Sequence, residues 1–323
     1  MGIDADALID WFTDNARDLP WRRADCTAWG VLVSEIMLQQ TPVARVEPIW
    51  HDWLHRWPTP SALAAASQAE VLRAWGKLGY PRRALRLHAA ATAIAEQHGD
   101  VVPSDVDTLL ALPGIGAYTA RAVAAFGYQQ RAAVVDTNVR RVVARAVHGA
   151  GDAGPASTTR DLADTEALLP LEAKRAAVFS AGLMELGQMI CTARTPRCVD
   201  CPIFADCAWQ RAGRPAYAGP AKPVQKFAGT DRQVRGKLLD VLRGASGPVT
   251  RAALDAVWDD AGQRDRCLDS LLVDGLLEQT DGGLFALPGD APGNVPGNVP
   301  GNQPGDAPGN VPGDVPGEVP AGR

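Results

Sequence analysis

The chain has 323 residues, 46% of them hydrophobic and 21% charged, enough to bury one large domain or two ordinary ones. No apolar run approaches the ~18 residues of a membrane span, and the acidic start Met1-Gly2-Ile3-Asp4 lacks the basic and apolar regions of a signal peptide. The net charge of −5 argues at first against a nucleic-acid partner, but residues 1–225 hold 23 basic against 23 acidic side chains while 226–323 hold 9 against 14, so the acidity sits at the C-terminal end.

Residues 5–213 read as helix after helix with short connections and no period-two strand. Helices are predicted at about 5–16, 28–40, 43–56, 69–76, 82–97, 105–111, 117–127, 138–148, 158–169 and 174–188. Thr41-Pro42 stops the second of these, because proline disfavours helix at the residue before it. Ser104, ahead of Asp105 and Asp107, is the expected N-cap of the 105–111 helix. Residues 214–229, rich in Pro, Gly and Ala, read as a linker. A small unit follows at 230–288, with helices near 231–243, 251–259 and 263–274 and a hairpin turning at Asp281-Gly282-Gly283, the pattern of a winged-helix-like module. From Pro288 a Pro-Gly-(Asn/Asp/Glu)-(Val/Ala) repeat begins, its prolines recurring to Pro320, and it fills the tail at 289–323. Glycine is not at every third place, so it is not collagen, and with scarcely any core-forming residue it reads as a disordered, mildly acidic tail.

Four features carry chemistry. The predicted helix Val31-Leu32-Val33-Ser34-Glu35-Ile36-Met37-Leu38 is apolar almost all round, so Glu35 either pairs with a cation or sits desolvated with a raised pKa, the state a general acid needs near neutral pH. Asp136, after Ala133-Val134-Val135 and before the helix of Asn138, fits an N-cap and equally fits a carboxylate facing a cationic transition state. In Leu112-Pro113-Gly114-Ile115-Gly116-Ala117-Tyr118-Thr119-Ala120, Gly114 and Gly116 permit a tight turn whose amides, with the following helix start, can approach a phosphate. Cys191, Cys198, Cys201 and Cys207 form C-x6-C-x2-C-x5-C, a spacing that leaves a tetrahedral zinc and a [4Fe–4S] cubane both open. The loop between the first two cysteines carries Arg194 and Arg197, suited to gripping phosphate. The groups Arg82/Arg83/Arg86 and Arg140/Arg141/Arg145, next to these motifs, are expected to do the same. Clustered ligand cysteines fit a reducing, cytoplasmic setting, nucleoid-associated if bacterial, and the remaining Cys26 and Cys267 read as small buried hydrophobes.

Together with Leu19-Pro20-Trp21, Gln39-Gln40-Thr41 and Gly79-Tyr80, these strings resemble the MutY-type adenine DNA glycosylases of the endonuclease III-like, helix–hairpin–helix superfamily over residues 5–213. The resemblance implies an all-α catalytic domain at 1–213 made of two helical subdomains, with DNA and the flipped base in the cleft between them. It resolves the cysteines (cluster loop 191–207) in favour of a [4Fe–4S] cluster. It further implies that Glu35 protonates adenine and then activates water, that Asp136 stabilises the sugar cation, and that Tyr118 and Asn138 arrange that site. Tyr80 corresponds to the aromatic wedge, with Gln39, Gln40 and Thr41 on the same DNA-facing side, and Arg17 and Trp21 to the lining of the base pocket.

The implied partner is double-stranded DNA with A:8-oxoguanine or A:G mispairs, bound by a monomer with no membrane role. Bifunctional relatives place a Schiff-base lysine where Tyr118 stands, and no lysine occurs from 78 to 173, so the expected enzyme is monofunctional, with little or no strand cleavage. Two departures stand out. The second family tyrosine after Tyr80 is Pro81 here, and no Nudix-like C-terminal domain is recognisable; 230–288 is too short and too helical for one. The rival readings are a thymine–guanine mismatch glycosylase and a non-catalytic iron–sulfur DNA-binding protein.

Overall fold

The computed structural model describes residues 2–219 and 227–290. The repeat from 291 onward and residues 220–226 of the expected linker lie outside the described residues. In chain order the helices are α1 (Ala5–Asn15), α2 (Ala28–Leu38), α3 (Val43–Arg56), α4 (Pro60–Ala64), α5 (Gln68–Trp75), α6 (Arg82–Gln97), α7 (Val106–Ala111), α8 (Ala117–Ala122), α9 (Thr137–Ala146), α10 (Thr158–Glu166), α11 (Ala173–Met189), α12 (Ala208–Arg211), α13 (Asp231–Gly244), α14 (Arg251–Asp255) and α15 (Ala261–Val273). A short antiparallel pair, β1 (Glu278–Gln279) and β2 (Phe285–Ala286), closes the described chain, with Glu278 opposite Ala286 and Val249 bridging to Phe285. The protein is mostly helical, as its periodicity predicts.

Two compact units emerge, Met1–Glu35 with Val102–Lys222, and Ile36–Val101 with Pro223–Arg323. In the first, α1, α9 and α11 pack around Leu8, Val139, Val142, Phe179, Leu183 and Leu186, all buried. Glycines on α11 permit close approach. A Cβ at Gly187 would stand 2.7 Å from that of Asn138, so only glycine lets the start of α9 lie so near. In the second unit Trp53 meets Trp57 and Trp75 edge-on, at 4.8 and 5.5 Å between ring centroids. Its α5 opens with a reciprocal capping box between Ser67 and Glu70.

Residues 227–290 cluster with this second unit rather than standing apart. Their own core is Val234, Leu238, Leu239, Leu242, Leu268 and Leu271. Arg243 Nε donates to the carbonyl of Leu72 at 3.1 Å, and Arg73 pairs through both terminal nitrogens with Asp290.

Several local expectations need correction. Asp105, not Ser104, caps α7, accepting from the amides of Asp107 and Thr108. The five-residue α4, begun by the Thr59 cap and Pro60, and the four-residue α12 are too short to leave a periodic signature. Helix α2 ends at Leu38 because its last carbonyls go elsewhere. The Arg83 guanidinium takes those of Ile36, Met37 and Gln39 at 2.6–3.0 Å, and Gln40 turns to φ +56°.

Candidate active site

In α2 every residue from Gly30 to Met37 is buried, Glu35 included at 6% exposure. Loss of water around its carboxyl raises the pKa to about 7; the bond with the Tyr118 hydroxyl and the charge of Arg22 oppose this, and the charge of Asp136 adds to it. Tyr118 stands on α8, just after Gly116, and burial beside those carboxylates pushes its hydroxyl well above the usual phenol range. A carboxyl near 7 is half protonated at neutral pH and can both give and take a proton.

Asp136 caps α9: its Oδ1 accepts from the Val139 amide at 2.7 Å, and its Oδ2 from Asn138 Nδ2 at 2.8 Å. Burial raises its pKa while these bonds and the Arg141 charge pull it down. The cap and the chemical role foreseen for this residue are therefore compatible in one geometry. Asn138 is in turn fixed by Arg141, whose Nη2 donates to Asn138 Oδ1 and to the Gly187 carbonyl, both at 2.7 Å, while its Nε donates to the Cys191 carbonyl at 2.7 Å. A continuous polar chain thus joins Asp136 to the first cysteine.

All four cysteines, Cys191, Cys198, Cys201 and Cys207, line one cavity with Leu186 and Ile203. Burial and the neighbouring thiols push the Cys201 thiol up to about 12. Thiols crowded together in this way need a cationic centre to hold them as thiolates. No group of three His, Cys, Asp or Glu among the described residues is set around a single ion. The donor set and the shared cavity fit a multi-iron cluster.

Arg82 and Arg86 are exposed, but the other arginines of the two groups behave differently from the sequence expectation. Arg145 is buried, donating to the carbonyls of Gly151, Thr192 and Ala193 and to Cys191 Sγ at 3.4 Å, with its guanidinium 4.7 Å from the Trp209 ring centre. Arg141 and Arg83 are likewise buried among carbonyls, and Arg140 pairs with Asp161 at 2.6 Å. These cations fasten loops to helices and are not laid out on the surface for phosphate. Arg194 and Arg197 are exposed in the cysteine loop. Gly114 (φ +73°) makes the hairpin turn, and no side chain caps the amides that open α8 at Gly116.

In the other unit Thr41 is buried and bonded to the Leu78 carbonyl at 3.1 Å, while Gln40 is exposed and Gln39 partly so. Tyr80 is 42% exposed and held at φ +47°, an uncommon backbone state for a bulky residue.

Sequence reasoning missed Glu185 and Arg22, and the tie of Glu185 to Arg17. Glu185, on α11 and 1% exposed, receives Arg17 through Nε at 2.7 Å and Nη2 at 2.8 Å, and Arg22 at 2.9 Å. Arg17 is therefore held in a fork, and Trp21 is buried. The clue was present: a lone acid in an apolar helix, the same signal that marked Glu35.

Burial pushes the Glu185 carboxyl up, but the bonds and charges of Arg17 and Arg22 outweigh it and hold the group down to about 2 against 4.5 unperturbed. Its stabilisation is therefore full above pH ~4.5 and is lost as pH falls toward 2. Allowing for the partial exposure of both arginines, Glu185→Gln is expected to cost about 2 kcal/mol at pH 7. Thermal melts should show the gap to wild type closing by pH ~2; a gap independent of pH would refute the ion-pair account.

A family model described as HhH-GPD superfamily base excision DNA repair protein matches residues 33–165. The adenine DNA glycosylase of Mycolicibacterium smegmatis is 66% identical over 291 residues, 90% of this chain and 98% of that protein. This chain belongs to the adenine DNA glycosylases. The Mycobacterium tuberculosis adenine DNA glycosylase is 62% identical over 88% of this chain and 93% of its own length. The human adenine DNA glycosylase is 40% identical over 62% of this chain but only 38% of its own length. As an adenine DNA glycosylase the protein is a base excision repair enzyme that acts on DNA. Among solved structures, a thermostable thymine-DNA glycosylase matches 64% of this chain and 95% of its own at TM-score 0.58 and 25% identity. A trapped endonuclease III–DNA intermediate matches 65% of this chain and 94% of its own at TM-score 0.55 and 21% identity, a likeness of fold. No helix among the described residues is long and apolar enough to cross a membrane.

Proposed function

We propose that this adenine glycosylase removes adenine mispaired with 8-oxoguanine or guanine by hydrolysis alone, without strand cleavage. The observation that carries the reading is the buried Glu35 carboxyl at about 7, bonded to Tyr118 and within the field of Asp136. Protonated Glu35 gives its proton to a ring nitrogen of adenine, and the N-glycosidic bond electrons leave with the base. Asp136 faces the oxocarbenium-like sugar that remains, with Asn138 and the Val139 amide fixing its direction and Tyr118 bonded to Glu35. The ionised Glu35 then takes a proton from water as its oxygen attacks the sugar carbon, which regenerates the acid.

With tyrosine at 118 and no lysine from 78 to 173, no amine stands in the part of the chain where a Schiff base would form. Tyr80 wedges into the duplex, with Gln39, Gln40 and Thr41 beside it, while the Gly114 and Gly116 amides and Arg194 and Arg197 take backbone phosphates. Cys191, Cys198, Cys201 and Cys207 hold a [4Fe–4S] cluster, which when bound fixes the arginine-bearing loop. The catalytic domain is 1–213, and the enzyme acts as a monomer in the cytoplasm, on nucleoid DNA.

Excision on A:8-oxoguanine, A:G and T:G duplexes, with borohydride trapping, tests this. Adenine release without a trapped adduct is expected. Preference for T:G would make it a thymine enzyme, and efficient trapping would make it bifunctional.

A further inference from the structure

Between α5 and α6 the chain makes a tight corner, with Gly76 at φ +53°, Gly79 at φ +81° and Tyr80 at φ +47°. Consecutive left-handed residues ending in an aromatic need outside support, since each costs of order 1 kcal/mol for a non-glycine. Some comes from within: the Gly79 carbonyl accepts from Trp75 Nε1 at 2.9 Å and from Arg83 Nη2 at 3.0 Å. The rest comes from residues 227–290. Arg232, the second residue of α13, lies over the Tyr80 ring at 5.5 Å from its centroid, the same distance as Arg83. Asp274, just after α15, binds Arg82 at 3.1 Å and Arg235 of α13 at 2.5 Å, tying the residue two after Tyr80 to the same helix. On the other side of the corner, Arg243 and Asp290 grip Leu72 and Arg73 at the end of α5. Every one of these contacts lies within one compact unit. The module therefore holds both helices that flank the corner and also the ring at its tip.

We propose that residues 227–290 are a positioning clamp for Tyr80, with Arg232 the residue that fixes the ring for insertion into the mispaired duplex. The proposal rests on the wedge role given to Tyr80 above. It explains how Pro81 can stand where the family carries a second tyrosine, since a guanidinium stacked on the ring supplies the support that neighbouring aromatic would give. A cation held over an aromatic face at a partly exposed site contributes in the range that corresponds to about a three- to tenfold change in an equilibrium.

The test uses the full chain with Arg232→Ala, Tyr80→Ala and the double variant, each checked by thermal melting for retention of fold. Binding to an A:8-oxoguanine duplex and to a fully paired duplex is measured. The fluorescence of 2-aminopurine placed beside the mispair reports unstacking. Arg232→Ala is expected to weaken mispair binding about three- to tenfold and to lower the unstacking signal, with paired-duplex binding and melting temperature nearly unchanged. In the Tyr80→Ala background the same change should add nothing. If Tyr80→Ala is impaired but Arg232→Ala is not, the clamp is wrong and the wedge stands. Losses that multiply in the double variant also overturn the clamp, because they make Arg232 an independent phosphate contact. A Tyr80→Ala enzyme with full binding and unstacking overturns the wedge and the clamp together.

Discussion

Glu35→Gln is expected to lower the single-turnover rate of adenine release by about 10³-fold or more, with mispair binding kept within a few fold. Proton transfer by a placed acid contributes about 10²–10⁴-fold, and glutamine keeps the shape and the bond with Tyr118 but has no proton to give. The wild-type rate should fall as pH rises through about 7, where the Glu35 carboxyl loses its proton, and by about tenfold per unit beyond. Stability moves the other way in the variant. The folded pKa lies above the ordinary 4.5, so the folded state holds a proton that the unfolded state releases, and wild-type stability declines between pH 4.5 and about 7. A shift from 4.5 to about 7 corresponds to about 3 kcal/mol, which Glu35→Gln is spared. The variant should therefore melt higher than wild type at pH 8 and nearly the same at pH 4.5. Adenine release by Glu35→Gln at the wild-type rate would place the proton donor elsewhere.

Asp136→Asn should reduce the rate by about 10³-fold while leaving the fold intact, on the scale of losing one preorganised group at a developing charge. The structure makes this substitution unusually clean. Asparagine caps helices about as well as aspartate, so the bond from the Val139 amide survives and α9 keeps its start. What is lost is the negative charge facing the sugar. One side effect follows from the network: with its oxygen on Val139, the new amide nitrogen meets Asn138 Nδ2, whose own oxygen is held by Arg141. Two donors then face each other at a cost of about 1 kcal/mol. The expected signature is a collapsed rate with a small drop in melting temperature and unchanged occupancy of DNA. A rate within tenfold of wild type would place the cation-stabilising charge elsewhere.

The helical class was legible because apolar residues recur with period 3.6 through 5–213, and Glu35 because it is the one acid in a run that has no polar face. The cap at Asp136 could be read because a helix start makes a local demand for such a side chain. Short helices such as α4 left no trace, since five residues span barely more than one turn. The arginines misled: in sequence, Arg83, Arg141 and Arg145 look like any phosphate-binding cations, and nothing local says that they end beneath the surface on backbone carbonyls. The C-terminal module had recognisable elements but no visible address.

By itself, then, the sequence determined the elements and marked the candidate reacting groups, because helix periodicity, caps, the glycine turn and cysteine spacing are short-range demands written in neighbouring residues. Tertiary structure decided the state of those groups. The Glu35 pKa, the Asp136–Asn138–Arg141–Cys191 chain, the Glu185 fork and the placing of Arg232 over Tyr80 all join residues far apart in the chain. Desolvation and hydrogen-bond partnership depend on which distant segments pack together, and no local pattern encodes that.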